Sequence, residues 1–353
     1  MAQKQLESMW FYVGGTGISV YRLDLSTGDL AHRSTVSDVK NPSFQAIHPS
    51  NRFLYSVAEV DDGGALHAFA IDPATGALRS LNHQSCMGAG PCHVSVDATG
   101  RVVLVANYSS GGVAALPIMD DGSLGEATSV FQHEGSSVNP GRQQGPHAHS
   151  ITIDPGNRFA VSADLGIDKV LVYRLDAEKQ TIAPNDPPGV DVQAGAGPRH
   201  FAFHPNRKHA YLINELDNTA VTYAYDEDRG VLETIQVIST LPPDFTDTSY
   251  CADIHVSPDG RFVYGSNRGH DSIVIFEVDS GTGKLSVVDY ESTRGEFPRN
   301  FAVDPSGRFL FAANQNTDNI VTYRIDGGTG RLAVTGHQVE TPQPVCITMI
   351  PAA

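Results

Sequence analysis

The chain has 353 residues, of which 40% are hydrophobic and 18% are charged, and it contains 34 Gly and 21 Pro. This length and apolar content suffice for a large core, and the many turn residues favour β structure with frequent corners over long charged helices. The formal net charge of −16 argues against nucleic acid or an anionic membrane surface as the main partner.

The N-terminal residues and the cysteines point to the cytoplasm. The first nine residues lack the apolar segment of a signal peptide, and no run reaches the length of a membrane span. The four cysteines, Cys86, Cys92, Cys251 and Cys346, lack the paired spacing of a metal site. We therefore predict a cytoplasmic protein in which these residues are reduced thiols.

A tight turn followed by a basic residue and an apolar run occurs six times. The turns span residues 49–52, 98–101, 155–158, 205–208, 258–261 and 305–308. Their basic residues are 49, 57, 50, 53 and 47 residues apart. A period of this size is typical of propellers and solenoids.

Each repeat contains four strand-like segments, which predicts a propeller blade. A second turn carries Gly two residues before Leu in six places, beginning with Gly28 and Leu30, and residues 179–182 replace it in one unit. Residues 10–30 supply the later strands of a blade but not its first strand, and residues 344–351 supply only a first strand. Together they complete a seventh blade. We predict an all-β, seven-bladed propeller with four antiparallel strands per blade, forming a single domain over residues 1–353.

Antiparallel pairing predicts which positions share the face opposite the six turns. On that face each first strand begins and each second strand ends, so positions six before, and nine or ten after, the start of a turn lie together. The first set is Ser43, Cys92, His149, Arg199, Ala252 and Arg299, with Val345 in the closing blade; the second is 58–59, 107–108, 164–165, 214–215, 267–268 and 314–315. The rim therefore gathers ionisable candidates for a pocket: His149, Arg199, Glu215, Arg268 and Arg299.

Several of these positions also admit structural interpretations. The recurrent Asn107, Asn214 and Asn267 fit hydrogen bonding to turn backbone, although they remain candidates for substrate binding. His147 and His149 share a strand face, as two ligands of a metal would, and so do Asp253 and His255. No third ligand is evident in either place, so we predict no metal and no cofactor.

The chain resembles the propeller-type lactonase family over essentially its whole length. That family includes a bacterial 6-phosphogluconolactonase and the fungal carboxy-cis,cis-muconate lactonising enzyme. The most specific segments are Gly-Pro-His-Ala-His-Ser at 145–150 with 164–168, Gly-Ala-Gly-Pro-Arg-His at 195–200 with Asn-Glu-Leu at 214–216, and 252–255 with 266–268. The Arg-His and Asn-Glu-Leu combination is the strongest of these.

The resemblance implies a cytoplasmic lactonase of carbohydrate metabolism, in the pentose phosphate pathway, with 6-phosphoglucono-1,5-lactone as the expected substrate. The implied catalytic residues are His149, Glu215, Arg199 and Arg268. The expected substrate-binding residues are His147, His200, Arg299, Asn107, Asn214 and Asn267. Glu215 would activate water and His149 would protonate the leaving oxygen, or the two would exchange roles. Arg199 and Arg268 would hold the carbonyl oxygen or an anionic substituent.

Three alternatives remain open at this stage. The same residues could act as a cycloisomerase on a carboxy-muconate-type acid. A non-enzymatic propeller that binds proteins on one face would instead carry exposed apolar anchors at its rim, and a metal-dependent lactonase would need a complete ligand set. The expected partner is a small anionic lactone, without nucleic acid or membrane. The oligomeric state is left open, a monomer included.

Overall fold

The computed structural model describes residues 7–352, and their regular structure consists of 28 β-strands. In chain order the strands are β1 (Ser8–Gly14), β2 (Ile18–Asp24), β3 (Leu30–Val36), β4 (Gln45–Ile47), β5 (Phe53–Ala58), β6 (Ala65–Ile71), β7 (Leu78–Ser85), β8 (Pro91–Val96), β9 (Val102–Asn107), β10 (Gly112–Pro117), β11 (Ser129–Gln132), β12 (Ala148–Ile153), β13 (Phe159–Asp164), β14 (Lys169–Asp176), β15 (Thr181–Asp191), β16 (Pro198–Phe203), β17 (His209–Asn214), β18 (Thr219–Asp226), β19 (Val231–Ser239), β20 (Tyr250–Val256), β21 (Phe262–Arg268), β22 (Ser272–Val278), β23 (Leu285–Ser292), β24 (Pro298–Val303), β25 (Phe309–Asn314), β26 (Asn319–Ile325), β27 (Leu332–Glu340) and β28 (Cys346–Pro351). Residues 7–352 contain no helix that is long and apolar enough to span a bilayer.

The strands form seven antiparallel four-stranded sheets arranged in a ring, which confirms the predicted propeller. Blade 1 joins β28 from the C-terminal end to β1, β2 and β3, and blades 2 to 7 follow as consecutive groups of four from β4–β7 to β24–β27. The innermost strands, β28, β4, β8, β12, β16, β20 and β24, contact one another in that order and surround a central channel. Pairing of β1 with β28 closes the ring, as the sequence predicted.

The core consists of seven apolar clusters, each lying between two neighbouring blades. The second strand of each blade is buried on both faces because it packs against the sheets on either side, as the fully buried β13 and β17 illustrate. The fourth strand is half exposed, and along it partly buried side chains alternate with exposed ones, as in β27. Burial on both faces explains the continuous apolar runs that mark the repeat in the sequence.

The recurrent glycine of the outer turns packs on an aromatic ring of the preceding blade. At Gly230 the φ angle is +65°, and an added Cβ would lie 2.5 Å from the Phe159 ring. Equivalent pairs, one with an imidazole, are Gly28–Phe309, Gly76–Trp10, Gly122–Phe53, Gly283–His209 and Gly330–Phe262. Blade 4 has Gln180 in place of the glycine, also at positive φ. In the preceding blade 3, the smaller Val102 stands where the other blades carry the ring. The glycine is therefore a contact between blades as well as a turn residue.

The innermost strands of blades 3 to 7 share an irregularity at the end that faces the channel mouth. Their pairing with the second strand shifts register after the first residues. The residues left out of the pairing are Cys92, His149, Arg199, Ala252, Asp253 and Arg299. A β-bulge turns side chains away from regular alternation, so these residues are free to point toward the mouth of the channel.

Candidate active site

A pocket of about 330 Å³ lies at the mouth of the channel. Its walls are formed by Glu59, Cys92, Tyr108, Arg142, His149, Glu215, Tyr250, Arg268, Phe297 and Arg299. Three of the four predicted catalytic residues, His149, Glu215 and Arg268, are among them, as is the predicted substrate contact Arg299. Seven of these ten residues lie either at or just after the ends of the second strands β5, β9, β17 and β21 or in the bulges of the first strands β8, β12 and β24.

Glu215 is held by three guanidinium groups. Arg142 Nη2 donates to Oε1 at 2.5 Å, and Arg199 Nε and Arg268 Nη2 both lie 2.9 Å from Oε2. Burial alone would raise the pKa of this carboxyl, but the charges of Arg268, Arg199 and Arg142 outweigh burial and hold the pKa well below its usual range. Glu215 is therefore a fixed carboxylate with both oxygens occupied.

Arg199 lies beneath the pocket wall, since its side chain is almost completely buried and is not among the lining residues. Besides Glu215, its Nη1 donates to the carbonyl of Ala252 and approaches His200 Nε2 at 3.2 Å. Burial, and then the charge of Arg268, lower the pKa of Arg199 to about 9, which still leaves the side chain protonated at neutral pH. Arg199 thus supports Glu215 from below and does not face the cavity.

His200 also lies below the cavity. Its Nδ1 is 2.7 Å from Asp253 Oδ1, so the tautomer that donates there leaves Nε2 to accept from Arg199. Burial and the neighbouring Arg199 lower the pKa of His200 to about 4. Asp253 receives two further hydrogen bonds at Oδ2, from His255 at 2.9 Å and from Asn300 at 2.5 Å. A buried chain of polar contacts therefore runs from the channel interior up to Glu215.

His149 faces the cavity as a neutral imidazole. Burial, and then the charge of Arg199, lower its pKa well below the ordinary value of 6.5. Nε2 is 3.8 Å from Glu215 Oε2, and Nδ1 is 3.8 Å from the Cys92 sulfur. The Tyr108 ring packs edge-on against the imidazole with centroids 5.2 Å apart. A neutral imidazole beside a carboxylate can accept a proton and be stabilised once it is charged.

The other predicted substrate-binding residues lie outside the pocket wall. His147 Nδ1 is 2.9 Å from the carbonyl of Tyr108, and its ring stacks on Tyr108. The amides of the three asparagines bond within the protein: Asn107 to Cys86 O, Asn214 to Thr219 Oγ1 and Asn267 to Thr240 O. These contacts favour the interpretation of the asparagines as residues that hold the strand ends in place.

Six lining residues were not among the selected site candidates: Glu59, Cys92, Tyr108, Arg142, Tyr250 and Phe297. Glu59 and Tyr108 occupy predicted rim positions, so their presence could have been inferred. Arg142 comes from the segment 133–147 between β11 and β12, the longest connection from one blade to the next. Its sequence signal was the 57-residue spacing of Arg101 and Arg158. Tyr250 begins β20, two residues before the counted position Ala252.

The pocket concentrates positive charge in an acidic protein. Arg142, Arg268 and Arg299 line it and Arg199 lies beneath it, against the carboxylates of Glu59 and Glu215. Four guanidinium groups thus face two carboxylates, so the site attracts an anion despite the net charge of −16. Within residues 7–352, no group of three His, Cys, Asp or Glu side chains is arranged to hold a metal ion.

Comparison with known proteins identifies relatives over most of the chain. The sequence profile described as "Lactonase, 7-bladed beta-propeller" matches residues 11–349. A 6-phosphogluconolactonase of Bacillus subtilis is 41% identical over 294 residues, which cover 82% of this chain and 81% of the relative. One from Formosa agariphila is 37% identical over 293 residues, covering 82% of each chain.

A solved structure agrees with these matches. The periplasmic gluconolactonase of Pseudomonas aeruginosa superimposes with a TM-score of 0.93 at 33% identity, covering 98% of this chain and all of that chain. The family match and the superposition agree with the ring of seven blades. The chain belongs to the lactonase family of seven-bladed β-propellers.

Proposed function

We propose that this protein hydrolyses a sugar-acid lactone in the channel-mouth pocket, with 6-phosphoglucono-1,5-lactone as the expected substrate. The observation that carries the proposal is the neutral imidazole of His149 beside the arginine-bound carboxylate of Glu215, facing a cavity with an excess of guanidinium groups. Relatives named 6-phosphogluconolactonase support the choice of substrate. The positive wall suits a phosphorylated or carboxylated molecule.

The geometry favours one of the two role assignments that the sequence left open. Both oxygens of Glu215 are already paired with arginines, so neither is free to take a proton, and Glu215 is better suited to stabilising a cation. His149 is neutral and its Nε2 makes no hydrogen bond within the described chain. We therefore assign His149 as the group that takes a proton from the attacking water.

With this assignment the reaction proceeds without a covalent bond between the enzyme and the substrate. The water oxygen bonds to the lactone carbonyl carbon as its proton passes to His149 Nε2, and Glu215 stabilises the imidazolium. Arg268 lines the cavity beside Glu215 and can stabilise the oxyanion of the tetrahedral intermediate. When the bond between the carbonyl carbon and the ring oxygen breaks, His149 returns the proton to that oxygen, which gives the hydroxy acid.

Turnover by site variants tests the proposal. Acid release from phosphorylated and unphosphorylated aldonolactones is measured in a pH-stat, with spontaneous hydrolysis subtracted. His149→Ala and Glu215→Gln should each lower kcat by at least about tenfold, since general acid–base groups contribute that much or more. His83→Ala and Glu291→Gln lie on the outer strands β7 and β23 and serve as matched controls.

Near-normal turnover by the pure, folded His149→Ala or Glu215→Gln protein would remove that residue from the mechanism. If the wild-type protein hydrolyses no lactone of the panel but cyclises a carboxy-muconate, the cycloisomerase alternative replaces the proposal. Both substrates are therefore assayed with the same preparation.

The cytoplasmic location and the oligomeric state stay predictions. The four cysteines are free and buried, which is compatible with a reducing compartment, whereas the Pseudomonas relative is named as periplasmic. Cell fractionation against markers of both compartments tests the location, and sedimentation equilibrium tests the oligomeric state.

A further inference from the structure

The two sides of the pocket differ in how fully their polar groups are hydrogen-bonded. Around Glu215, both carboxylate oxygens are taken by arginines. Across the ring, Glu59 of blade 2 faces Arg299 of blade 7, and their nearest charged atoms are 3.9 Å apart, which is too far for a hydrogen bond. Within residues 7–352, neither of these two side chains makes a hydrogen bond to the protein. The unused capacity to bind a ligand therefore lies on the Glu59 side.

The backbone of Glu59 is fixed even though its carboxylate has no hydrogen-bond partner within residues 7–352. The residue directly follows β5, and its amide donates to the carbonyl of Asn41 at 3.1 Å. In return, Asn41 Nδ2 donates to the Glu59 carbonyl at 3.0 Å. The side chain is about one quarter exposed and lines the cavity. A carboxylate held at a pocket wall in this way is positioned for a ligand and costs little ordering on binding.

The chemistry of a carboxylate restricts what it can bind. Glu59 can only accept hydrogen bonds while it is ionised, so it favours hydroxyl donors and repels a second carboxylate. Arg299 beside it can donate to a neighbouring oxygen or to an anionic substituent. A polyhydroxylated ring offers donors to Glu59 and oxygens to Arg299, whereas a polycarboxylate such as a carboxy-muconate offers Glu59 no donor.

We infer that Glu59 binds the hydroxyl groups of the substrate ring and selects polyhydroxylated lactones over polycarboxylates. The inference rests on the proposed lactone hydrolysis and adds a specificity residue on the side of the pocket opposite His149 and Glu215. Glu59 takes no part in the proton transfers. Its removal should therefore weaken substrate binding more than it slows the chemical step.

Kinetics with two lactones test this role. Glu59→Leu should lower kcat/KM for glucono-1,5-lactone by about tenfold, mostly through KM, because a hydrogen bond to a charged group is lost. The unhydroxylated six-membered lactone δ-valerolactone should change little. Glu59→Gln keeps an acceptor oxygen and should restore part of the lost affinity. Glu296→Leu, an exposed position near the rim that does not line the pocket, is the control.

Equal losses for both lactones, or no loss for either, would overturn the inference, and so would a wild-type preference for the unhydroxylated ring. If the wild-type protein hydrolyses no lactone of the phosphorylated and unphosphorylated panel, the proposed function fails, and calorimetry still tests Glu59. The wild-type protein should bind D-gluconate more tightly than the tricarboxylate tricarballylate, and Glu59→Leu should remove that preference. Tighter wild-type binding of tricarballylate would refute the assignment.

Discussion

Neighbouring charges and burial set the protonation states of Glu215 and His149 in the pocket. Glu215 and His149 lie within 4 Å of each other, yet arginines keep one ionised while burial keeps the other neutral. In the proposed mechanism, the pair therefore starts the reaction with a base already free and a counter-charge already in place. Little reorganisation is needed when the proton moves, which is the main advantage of a preorganised site.

Cys92 lies in the same wall and carries the only thiol among the lining residues, a group that forms covalent intermediates when it is ionised. Burial, and then the charge of Glu59, raise the pKa of its thiol far above the ordinary value, so it remains protonated. Its sulfur points to the backbone carbonyls of Ala148 and His149, at 3.6 and 3.3 Å. The thiol thus packs beneath His149 as a small, weakly polar group.

Cys92→Ala should retain most of the lactonase activity, because the mechanism uses no thiolate. The variant is compared with Cys251→Ala, which removes a buried thiol away from the pocket wall. The measured quantities are kcat with glucono-1,5-lactone and the free energy of unfolding, so that a loss of stability is separated from a loss of chemistry. Abolished turnover in a folded Cys92→Ala protein would indicate covalent catalysis.

The bulged inner strands are the structural element that builds the site. In five consecutive blades this strand leaves one or two residues unpaired near its start, and three of them, Cys92, His149 and Arg299, line the pocket. The regularly paired part of every blade packs in the core between neighbouring sheets. Side chains in the pocket can therefore differ between blades without disturbing the packing that closes the ring.

The outer-turn glycines perform the opposite task, since they hold neighbouring blades together. Gly230→Ala should lower the free energy of unfolding by about 2 kcal/mol or more, because a left-handed backbone disfavours Cβ and the methyl group would overlap the Phe159 ring. Urea denaturation measures the change. Gly327→Ala is the matched control, since an added Cβ there meets nothing within 4 Å. Equal stabilities of the two variants would contradict this role.

The sequence predicted the ring and most of the pocket for a single physical reason. Antiparallel repeats place equivalent positions at equivalent heights, so counting from the turns located His149, Glu215, Arg268 and Arg299 at the mouth. Counting cannot give the direction of a side chain at a bulge. For this reason Arg199, at the same height, was expected to contact substrate, whereas the structure places it beneath Glu215.

The remaining pocket residues depend on interactions that a repeat does not encode. Arg142 belongs to an insertion, and it reaches Glu215 because the adjacent Gln143 is buried and donates to the carbonyl of Leu165 at 2.8 Å. Phe297 precedes its strand and lies beneath the Arg268 guanidinium, 5.0 Å from its central carbon. Loop conformation and contacts between blades decide both positions, and neither follows from hydrophobic periodicity.

At the scale of the whole molecule, the propeller buries titratable groups along its axis. The innermost strands carry His93, His149, His200 and His255 into or beside the channel. The imidazoles of His93 and His149 each pack against that of His200, with ring centroids 5.5 Å apart in both pairs. Burial lowers the pKa of His93, His149 and His200. Arg199 lowers all three pKa values further, and His200 further lowers those of His93 and His149. His255 is the exception, because Asp253 outweighs burial and raises its pKa.

Stability should consequently fall on mild acidification. An unfolded chain binds protons at these histidines as the pH drops below about 6.5, whereas the folded chain excludes them, for His200 until about pH 4. Each such histidine lowers the free energy of unfolding by about 1.4 kcal/mol per pH unit in that window. His255 acts with the opposite sign, so three destabilising groups oppose one. The lowered pKa values of Glu215 and Asp253 have their effect only below the ordinary carboxyl range.

Urea denaturation at pH 7.5, 6.5 and 5.5 tests this coupling between the channel and the stability of the ring. The free energy of unfolding should decrease from the first to the last of these pH values. His93→Phe should make this decrease shallower by about 1.4 kcal/mol per pH unit, because the variant removes one titrating ring. The phenyl ring can keep the stacking on Phe44. A stability that is constant or rises toward pH 5.5 would mean that the channel histidines take up protons without unfolding. The buried polar chain from Asp253 to Glu215 would then have to absorb that charge, and the neutral state assigned to His149 in the mechanism would no longer hold.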